Sequence, residues 1–230
     1  MVKTALKPAG NTRSAARPRQ ARNRLSEQLI VAEALRMLES TPLEAFTLRA
    51  LAKRLDAGVM SLYTYFPSRD ALLNALADHV FSLFEPPSAS ETWQALVRAW
   101  LWATYRHFER YPIAATVITW DGRVSAAWLN TWLPVAAALK QQGVEGPRLA
   151  FAMDWFSTAA MSFVSSQINS QVFRRSEAVA HITGLSADGR LLMEELWSEF
   201  PKLTRRPSLE FGFNAIIQAL EQIAGESRGP

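Results

Sequence analysis

One stretch of the chain combines hydroxyl, phenol and arginine side chains at spacings that suit hydrogen bonding to a ligand. Between Phe46 and Leu73 the sequence reads FTLRALAKRLDAGVMSLYTYFPSRDALL. Hydroxyls and phenols can donate hydrogen bonds to phosphates or accept them from base edges, and arginine can pair with a guanine. Apolar groups can also pack on thymine methyls. This pattern favours contact with a nucleic acid.

Catalysis has much less support in the sequence. The chain has no cysteine, which excludes a disulfide framework, a thiolate zinc site and a cysteine nucleophile. It contains no P-loop, GxGxxG, GxSxG or HExxH motif, and His79, His107 and His181 lack the spacing of metal ligands. We therefore expect a protein that is not an enzyme and that has no metal and no cofactor.

Two short helices joined by a tight turn position the hydroxyl and phenol groups. Thr47 is the predicted N-cap of the first helix, Asp56 to Gly58 form the turn, and Ser68 caps the helix that follows Pro67. Apolar residues recur on the inner side of both short helices, which is the geometry of a helix-turn-helix. The other sides of the second helix carry Met60, Ser61, Tyr63, Thr64 and Tyr65.

Helical periodicity dominates the rest of the chain, and no alternating strand pattern is present. The fold class is therefore all-α. Besides the two short helices, at 47–55 and 59–65, the pattern predicts helices over 25–40, 69–84, 89–110, 112–119, 124–142, 148–170, 189–200 and 207–224. Pro134 is expected to kink or interrupt one of them, and residues 171–187 look irregular.

A basic arm precedes the helices. Residues 1–80 hold 12 Lys or Arg and 7 Asp or Glu, whereas residues 81–230 hold 13 and 14. The first 26 residues have no acidic side chain, and Pro8, Gly10 and Pro18 argue against a continuous helix. Such an arm suits DNA, and the alternative is a segment that only aids solubility. Its candidate DNA-contacting residues are Arg17, Arg19, Arg22 and Arg24.

Composition and the hydrophobic pattern also indicate the cellular compartment of the protein. The chain has 230 residues, 49% of them hydrophobic, which is enough for a packed core in one large or two small domains. The apolar runs are too short to span a membrane, and no apolar stretch follows the basic start as it would in a secretory signal. We expect a cytoplasmic protein.

The segment from Leu25 to Leu73 resembles the DNA-binding domain of the tetracycline-repressor (TetR) family of bacterial transcription regulators. The residues that carry the likeness are the helix at 25–38, Phe46-Thr47-Leu48-Arg49, Leu51-Ala52, Met60-Ser61-Leu62-Tyr63, Tyr65-Phe66, Arg69 and Leu72-Leu73. One departure is the turn, where the family's usual glycine-valine pair is Asp56-Ala57. Asp tolerates the left-handed backbone conformation better than most residues, though less well than Gly.

The resemblance implies a role for each matching residue. Thr47 would cap the supporting helix and touch a phosphate, and Arg49 would reach a base in the major groove. Met60, Ser61 and Thr64 fall on base-facing positions. Tyr63, Tyr65 and Arg69 fall on positions that contact the DNA backbone.

The resemblance also implies a homodimer, joined by the last two long helices of each subunit. Small residues along residues 148–168 would permit close helix packing across a two-fold axis. The alternative for this stripe is an ordinary solvent-facing surface. The candidate interface residues are Ala150, Asp154, Ser157, Ser165, Phe213, Ile217 and Leu220.

A small-molecule effector pocket is expected between about residues 90 and 170. Aromatic, polarizable and isolated polar groups occur there among apolar neighbours, which suits a hydrophobic or aromatic ligand held by a few hydrogen bonds. The alternative is that these side chains are ordinary core. The candidates are Trp100, Thr104, His107, Trp120, Trp128, Trp132, Trp155 and Met161.

These observations predict three parts: an arm over 1–23, a three-helix DNA-binding domain with a linking helix over 24–84, and a helical effector-binding and dimerisation domain over 85–230. The predicted function is a ligand-responsive repressor that binds a palindromic operator as a homodimer. One alternative is a DNA-binding structural or regulatory protein with no effector. A tryptophan-rich protein lying on membranes is disfavoured, because residues 81–230 carry a slight acidic excess, and an enzyme is more remote.

Overall fold

The computed structural model describes residues 25–87, 90–113, 126–169, 184 and 186–225. These residues form helices and no strand, which confirms the predicted all-α class. The α-helices are α1 (Glu27–Leu38), α2 (Leu48–Arg54), α3 (Val59–Tyr63), α4 (Arg69–Ser82), α5 (Trp93–Arg110), α6 (Ala126–Gln141), α7 (Gly146–Asn169), α8 (Ala187–Glu199) and α9 (Arg205–Gly225).

The helix boundaries agree with the sequence pattern to within two residues, except that α5 begins at Trp93 and not at 89, because Thr92 is its N-cap. Two of the helices that contain a proline show how it is accommodated. The helix α6 continues through Pro134 without interruption, because Trp132, Val135 and Leu139 on both sides of the proline are anchored in the core. The helix α9 begins at Arg205, two residues before Pro207, since a first-turn proline lacks an N–H that would be unpaired anyway. Most of the predicted helix 112–119, and all of residues 171–183, lie outside the described residues.

The first core lies among α1 to α4. Hydroxyl caps begin three of these helices: Ser26 accepts from Leu29, Thr47 from Ala50 and Ser68 from Ala71. The apolar side chains packed between the helices are fully buried and include Ile30, Ala34, Leu51, Leu62, Leu72 and Leu73. Burial of this kind stabilises by roughly 25 cal/mol per Å² of apolar surface, and here it holds α3 against α2.

The second core is larger and joins α4 to the C-terminal helices. Its largest fully buried side chains are Trp100, Phe108, Phe156 and Phe213. The helices α5, α6, α7 and α9 pack around it. The helix α4 belongs to both cores, because Leu72 and Leu76 lie in the first core while Val80 and Phe81 lie in the second. It is therefore the mechanical connection between the two halves.

The helices α7 and α9 run antiparallel. Arg148 at the start of α7 donates to the Ile223 carbonyl at the end of α9, while Phe163 near the end of α7 contacts Gly212 near the start of α9. The helix α8 differs from the others because none of its residues is buried.

Candidate nucleic-acid interface and internal cavity

The turn between α2 and α3 keeps the helix-turn-helix shape without a glycine at its bend. Asp56 has a φ of 48°, which is the left-handed conformation that Asp tolerates. The Ala57 N–H donates to the Ala52 carbonyl at 3.0 Å and the Asp56 N–H to the Lys53 carbonyl at 3.3 Å. These bonds pair the last carbonyls of α2 and close the turn.

The outward side of α3 is exposed while its inward side is anchored. Leu62 is fully buried, whereas Met60 is 74% exposed. Ser61, Tyr63 and Thr64 are exposed as well. Five predicted DNA-contacting residues therefore form what we call the reading face: Arg49, Met60, Ser61, Tyr63 and Thr64.

Arg49 is the cation of the reading face. It lies in the first turn of α2 and its side chain is exposed. In the part of the chain that the structure describes, its guanidinium has no ion-pair partner, whereas Arg54 on the same helix donates to Glu33 at 2.7 Å. Thr47 is exposed beside it, with its hydroxyl oxygen accepting the Ala50 N–H.

Tyr65 and Arg69, predicted to contact the DNA backbone, are half-buried and have hydrogen-bond partners inside the domain. The Tyr65 hydroxyl donates to the Leu25 carbonyl at 2.7 Å. The Arg69 guanidinium donates to the carbonyls of Leu43 at 2.6 Å and Phe46 at 3.2 Å. The Leu25 and Phe46 carbonyls lie outside the helices, where carbonyls need donors. The sequence contained no signal for these bonds, which join residues 23 to 40 positions apart.

Tyr65 also holds the first described residue of the chain. Leu25 is the first described residue, and its carbonyl is held at the end of α3. Arg17, Arg19, Arg22 and Arg24 lie outside the described residues. The first described residue is therefore fixed against Tyr65, just after α3.

A small internal cavity lies between α4, α5, α6 and α7. Its volume is about 10 Å³, roughly the space of one water molecule. Five of the predicted effector residues line it: Trp100, Thr104, His107, Trp128 and Met161. Sequence reasoning missed the remaining four lining residues, which are Phe81, Phe84, Phe108 and Thr131.

The other predicted effector residues are placed elsewhere. Trp132 packs behind the cavity, with its ring 4.6 Å from that of Trp100 and 4.9 Å from that of Trp128. Trp155 is exposed on the outside of α7, which removes it from the internal cavity. Trp120 lies outside the described residues.

The cavity contains two polar atoms without partners among the described residues. They are the Thr104 hydroxyl and Nε2 of His107, on side chains of residues only 3% and 8% exposed. Neighbouring polar groups are paired, since Trp100 Nε1 donates to the Thr131 carbonyl at 2.6 Å. An unpaired buried polar atom lowers the stability of the folded protein by about 1–3 kcal/mol. The two unpaired atoms of the cavity therefore require an explanation.

His107 is held as a neutral imidazole. Burial lowers its pKa, and the charge of Arg110 acts in the same direction, against a hydrogen bond to the Val80 backbone that raises it. Because Nε2 has no partner, the bond to the Val80 carbonyl runs through Nδ1–H. Nε2 therefore presents a lone pair to the cavity.

The predicted dimer residues on α7 lie toward its surface. Ala150 and Asp154 are exposed, and Ser157 and Ser165 are half-buried. The large apolar groups that α7 leaves exposed are one residue away, at Phe151, which is 75% exposed, and Trp155. The position of the exposed stripe follows from which side of α7 packs on α9 and α5.

The predicted dimer residues on α9 require a correction. Phe213, Ile217 and Leu220 lie in the second core of the chain itself, because this side of α9 packs against α7 and α5. They have almost no surface left for a partner. The neighbouring Phe211 on the same helix is 78% exposed. We call Phe151, Trp155 and Phe211 the outer aromatics.

A protein-family model described as "Bacterial regulatory proteins, tetR family" matches residues 30–76, the segment that carries the reading face. The chain carries the DNA-binding domain of the TetR family. It is a DNA-binding transcription regulator and not an enzyme. No helix in the described part of this TetR-family chain has the length and apolar content needed to cross a bilayer.

Curated TetR-family relatives extend the likeness beyond the DNA-binding segment. The chain is 24% identical over 212 residues to the HTH-type transcriptional repressor DrrR1 of Streptomyces coeruleorubidus, which covers 87% of this chain and 78% of the relative. It is 31% identical over 97 residues to the tetracycline repressor protein class D of Escherichia coli, which covers 41% of this chain and 44% of that relative.

Solved structures of the TetR-family protein ActR from Streptomyces coelicolor share the fold. The apo structure has a TM-score of 0.74 at 24% identity and covers 88% of this chain and 97% of that one. A second structure of ActR, in complex with actinorhodin, has a TM-score of 0.72 at 22% identity and covers 86% of this chain and 96% of that one.

Proposed function

We propose that this protein is a cytoplasmic, ligand-responsive repressor that binds a palindromic operator as a homodimer. A small hydrophobic or aromatic effector releases it from the operator. The observation that carries the DNA-binding part is the reading face, in which Leu62 anchors α3 and leaves Met60, Ser61, Tyr63 and Thr64 exposed. Relatives named as repressors support repression and not activation as the mode of regulation.

Sequence preference is expected to depend strongly on Arg49. The helix α3 has no Arg, Lys, Asn or Gln, which are the residue types that make bidentate contacts to bases. Arg49 has no ion pair within the described part of the chain and lies in the first turn of α2. A bidentate contact to guanine contributes about 1–3 kcal/mol of discrimination.

Dimer formation is proposed through α7 and α9. The outer aromatics are exposed on these two adjacent helices, and exposed aromatic groups of this size are typical of interfaces. A two-fold pairing would place two reading faces on one side of the dimer, and productive binding requires the two α3 helices about 34–36 Å apart.

The proposed release mechanism uses α4. The Phe84 ring follows α4 and lies 6.1 Å from the ring of Trp100 and 5.4 Å from that of His107. A ligand larger than one water must displace such side chains, because the cavity is small. Since α4 is shared by both cores, this displacement would shift the population toward a different spacing of the reading faces.

The deciding experiment is selection of bound duplexes from a randomised library by the purified protein. A two-fold symmetric motif is expected, with half-sites about one turn of DNA apart. Salt-sensitive binding without an enriched motif would overturn sequence-specific repression and indicate a non-specific basic DNA binder.

A second candidate is a DNA-binding regulator that has no small-molecule effector. The observation in its favour is the tight packing around the cavity, which has room for about one water. This candidate predicts that no aromatic compound changes the affinity for the selected operator. Titration of the protein–operator complex with aromatic ligands separates the two.

A further inference from the structure

The two unpaired polar atoms of the cavity lie on one side of α5. Thr104 and His107 are three residues apart in this helix, a spacing that puts side chains on the same face with Cβ atoms about 5–6 Å apart. Both residues line the cavity. Native structures leave few such atoms unsatisfied, and each calls for a water, an ion or a ligand.

The two atoms have complementary hydrogen-bonding capacities. Nδ1 of His107 donates to the Val80 carbonyl, so Nε2 can only accept. The Thr104 hydroxyl can donate or accept. A single hydroxyl group placed between them can therefore donate to His107 Nε2 and accept from Thr104. A carboxylate or an ether cannot donate to Nε2.

Most of the other described residues that line the cavity are aromatic, and Thr131 and Met161 complete them. The rings of Phe84, Trp100 and Trp128 enclose the space beside the two polar atoms. None of the described residues that line it is an Asp, Glu, Lys or Arg. A charged ligand would lose its hydration here without gaining an opposite charge, whereas a flat ring would pack on the indole and phenyl faces.

We propose that the effector is an uncharged aromatic compound with a hydroxyl group, which donates to His107 Nε2 and accepts from Thr104. This inference rests on the proposed function, since it names the chemical class of the same effector. It goes further by assigning the ligand's hydrogen-bonding group to two residues. His107 also donates to the carbonyl of Val80, which lies in the last turn of α4. His107 therefore connects the ligand contact directly to α4.

The test compares matched ligands that differ only at the hydroxyl group. Phenol, 2-naphthol and 2-hydroxyanthraquinone, each with its methyl ether, are titrated into the full-length protein, and tryptophan fluorescence reports binding because Trp100 and Trp128 line the cavity. At least one phenol is expected to bind about five- to tenfold more tightly than its ether, which is the contribution of one net hydrogen bond. Equal affinities for every pair, or no binding by any of the compounds, would overturn the inference.

Variants assign the preference to the two residues. His107→Phe is expected to reduce the phenol-to-ether ratio to about one while the ether still binds, and Thr104→Val is expected to reduce the ratio severalfold. His79→Phe is the matched control, because His79 lies on α4 and does not line the cavity. Circular dichroism melts check that each variant is folded. A preference unchanged in both cavity variants would contradict the assignment.

Operator binding by fluorescence anisotropy separates this inference from the proposed function. A protein that binds its selected operator but shows no phenol preference loses the effector class and keeps the DNA-binding function. A protein that prefers phenols but binds no operator keeps the hydroxyl site and loses the repressor function. Release of the operator by the preferred phenol, and not by its ether at the same concentration, supports both.

Discussion

The Phe163 ring on α7 occupies the space that a side chain at Gly212 of α9 would need. The same ring makes an edge contact with Phe213 at 5.9 Å between centroids. The Phe163 ring therefore packs on α9 at a position that has no side chain. This contact holds together the helix pair whose outer side carries the outer aromatics.

Replacing Gly212 tests this close approach. Gly212→Ala is expected to lower the free energy of unfolding by about 1–2 kcal/mol, because the ring must move and this cost exceeds the helix propensity gained. Gly225→Ala is the control, since nothing lies within 4 Å of the new methyl group there. Urea denaturation at one fixed protein concentration measures both.

A second variant shows whether the ring causes the effect. In a Phe163→Leu background, Gly212→Ala is expected to lower the free energy of unfolding by less, because the side chain facing position 212 is smaller and more flexible. Equal losses in the two backgrounds would rule out this contact as the cause.

The turn at Asp56 stores backbone strain. Asp56→Gly is expected to raise the free energy of unfolding by up to about 1 kcal/mol, and Asp56→Val to lower it by about 1–2 kcal/mol, because only glycine adopts a φ of this sign without cost. The same Asp-to-Gly change at Asp78, inside α4, is expected to destabilise by a few tenths of a kcal/mol. Thermal melts of the variants measure these changes. A lower stability of Asp56→Gly than of the wild type would contradict the inference of strain at this turn.

Arg49 is expected to determine one base pair in each half-site. Arg49→Ala should relax the preference there by about 1–3 kcal/mol and leave the other positions unchanged. Arg54→Ala is the control, since that guanidinium pairs with Glu33. Duplex selection with each variant measures the preference. Uniformly weaker binding with an unchanged motif would assign Arg49 to the phosphates instead.

The basic arm is expected to contribute phosphate or minor-groove contacts. Deleting residues 1–22 removes six basic side chains. It should reduce the salt dependence of operator binding, because fewer cations on the protein would release counterions from the phosphates. Tyr65→Phe should weaken binding in the full-length protein and have little effect after the deletion, since the Tyr65 hydroxyl holds Leu25, which follows the arm in the sequence. An unchanged salt slope would leave the arm as a solubility segment.

Stability is expected to fall in mild acid because of His107. Burial lowers its pKa in the folded protein below the ordinary 6.5, so the unfolded chain binds more protons in the interval between the two pKa values. The contribution is complete above about pH 6.5 and is lost as the pH falls toward the folded-state pKa.

Denaturation at about pH 7.5 and about pH 5.5 checks the contribution of His107. His107→Gln is expected to reduce the difference in the free energy of unfolding between the two conditions, whereas His79→Gln, outside the cavity, should leave it unchanged. An equal difference in wild type and His107→Gln would show that other groups cause the acid sensitivity.

The sequence by itself determined the helices and the helix-turn-helix. Periodicity and caps act over three or four residues, so Thr47 and Ser68 could be identified as N-caps, and both cap bonds are present. The likeness to the TetR family was also readable, because Phe46 to Leu73 combines the residue types and spacing of the reading face in one continuous segment.

The tertiary structure decided which side of each helix is available. Phe213 and Phe211 are equally apolar in the sequence, yet one is buried in the chain's own core and the other is exposed, because only the packing of α9 on α7 distinguishes the two sides. Tyr65 and Arg69 bind carbonyls far away in the sequence for the same reason. The sequence could propose His107 as a pocket residue, but its free Nε2 depends on Val80, which another helix brings to Nδ1.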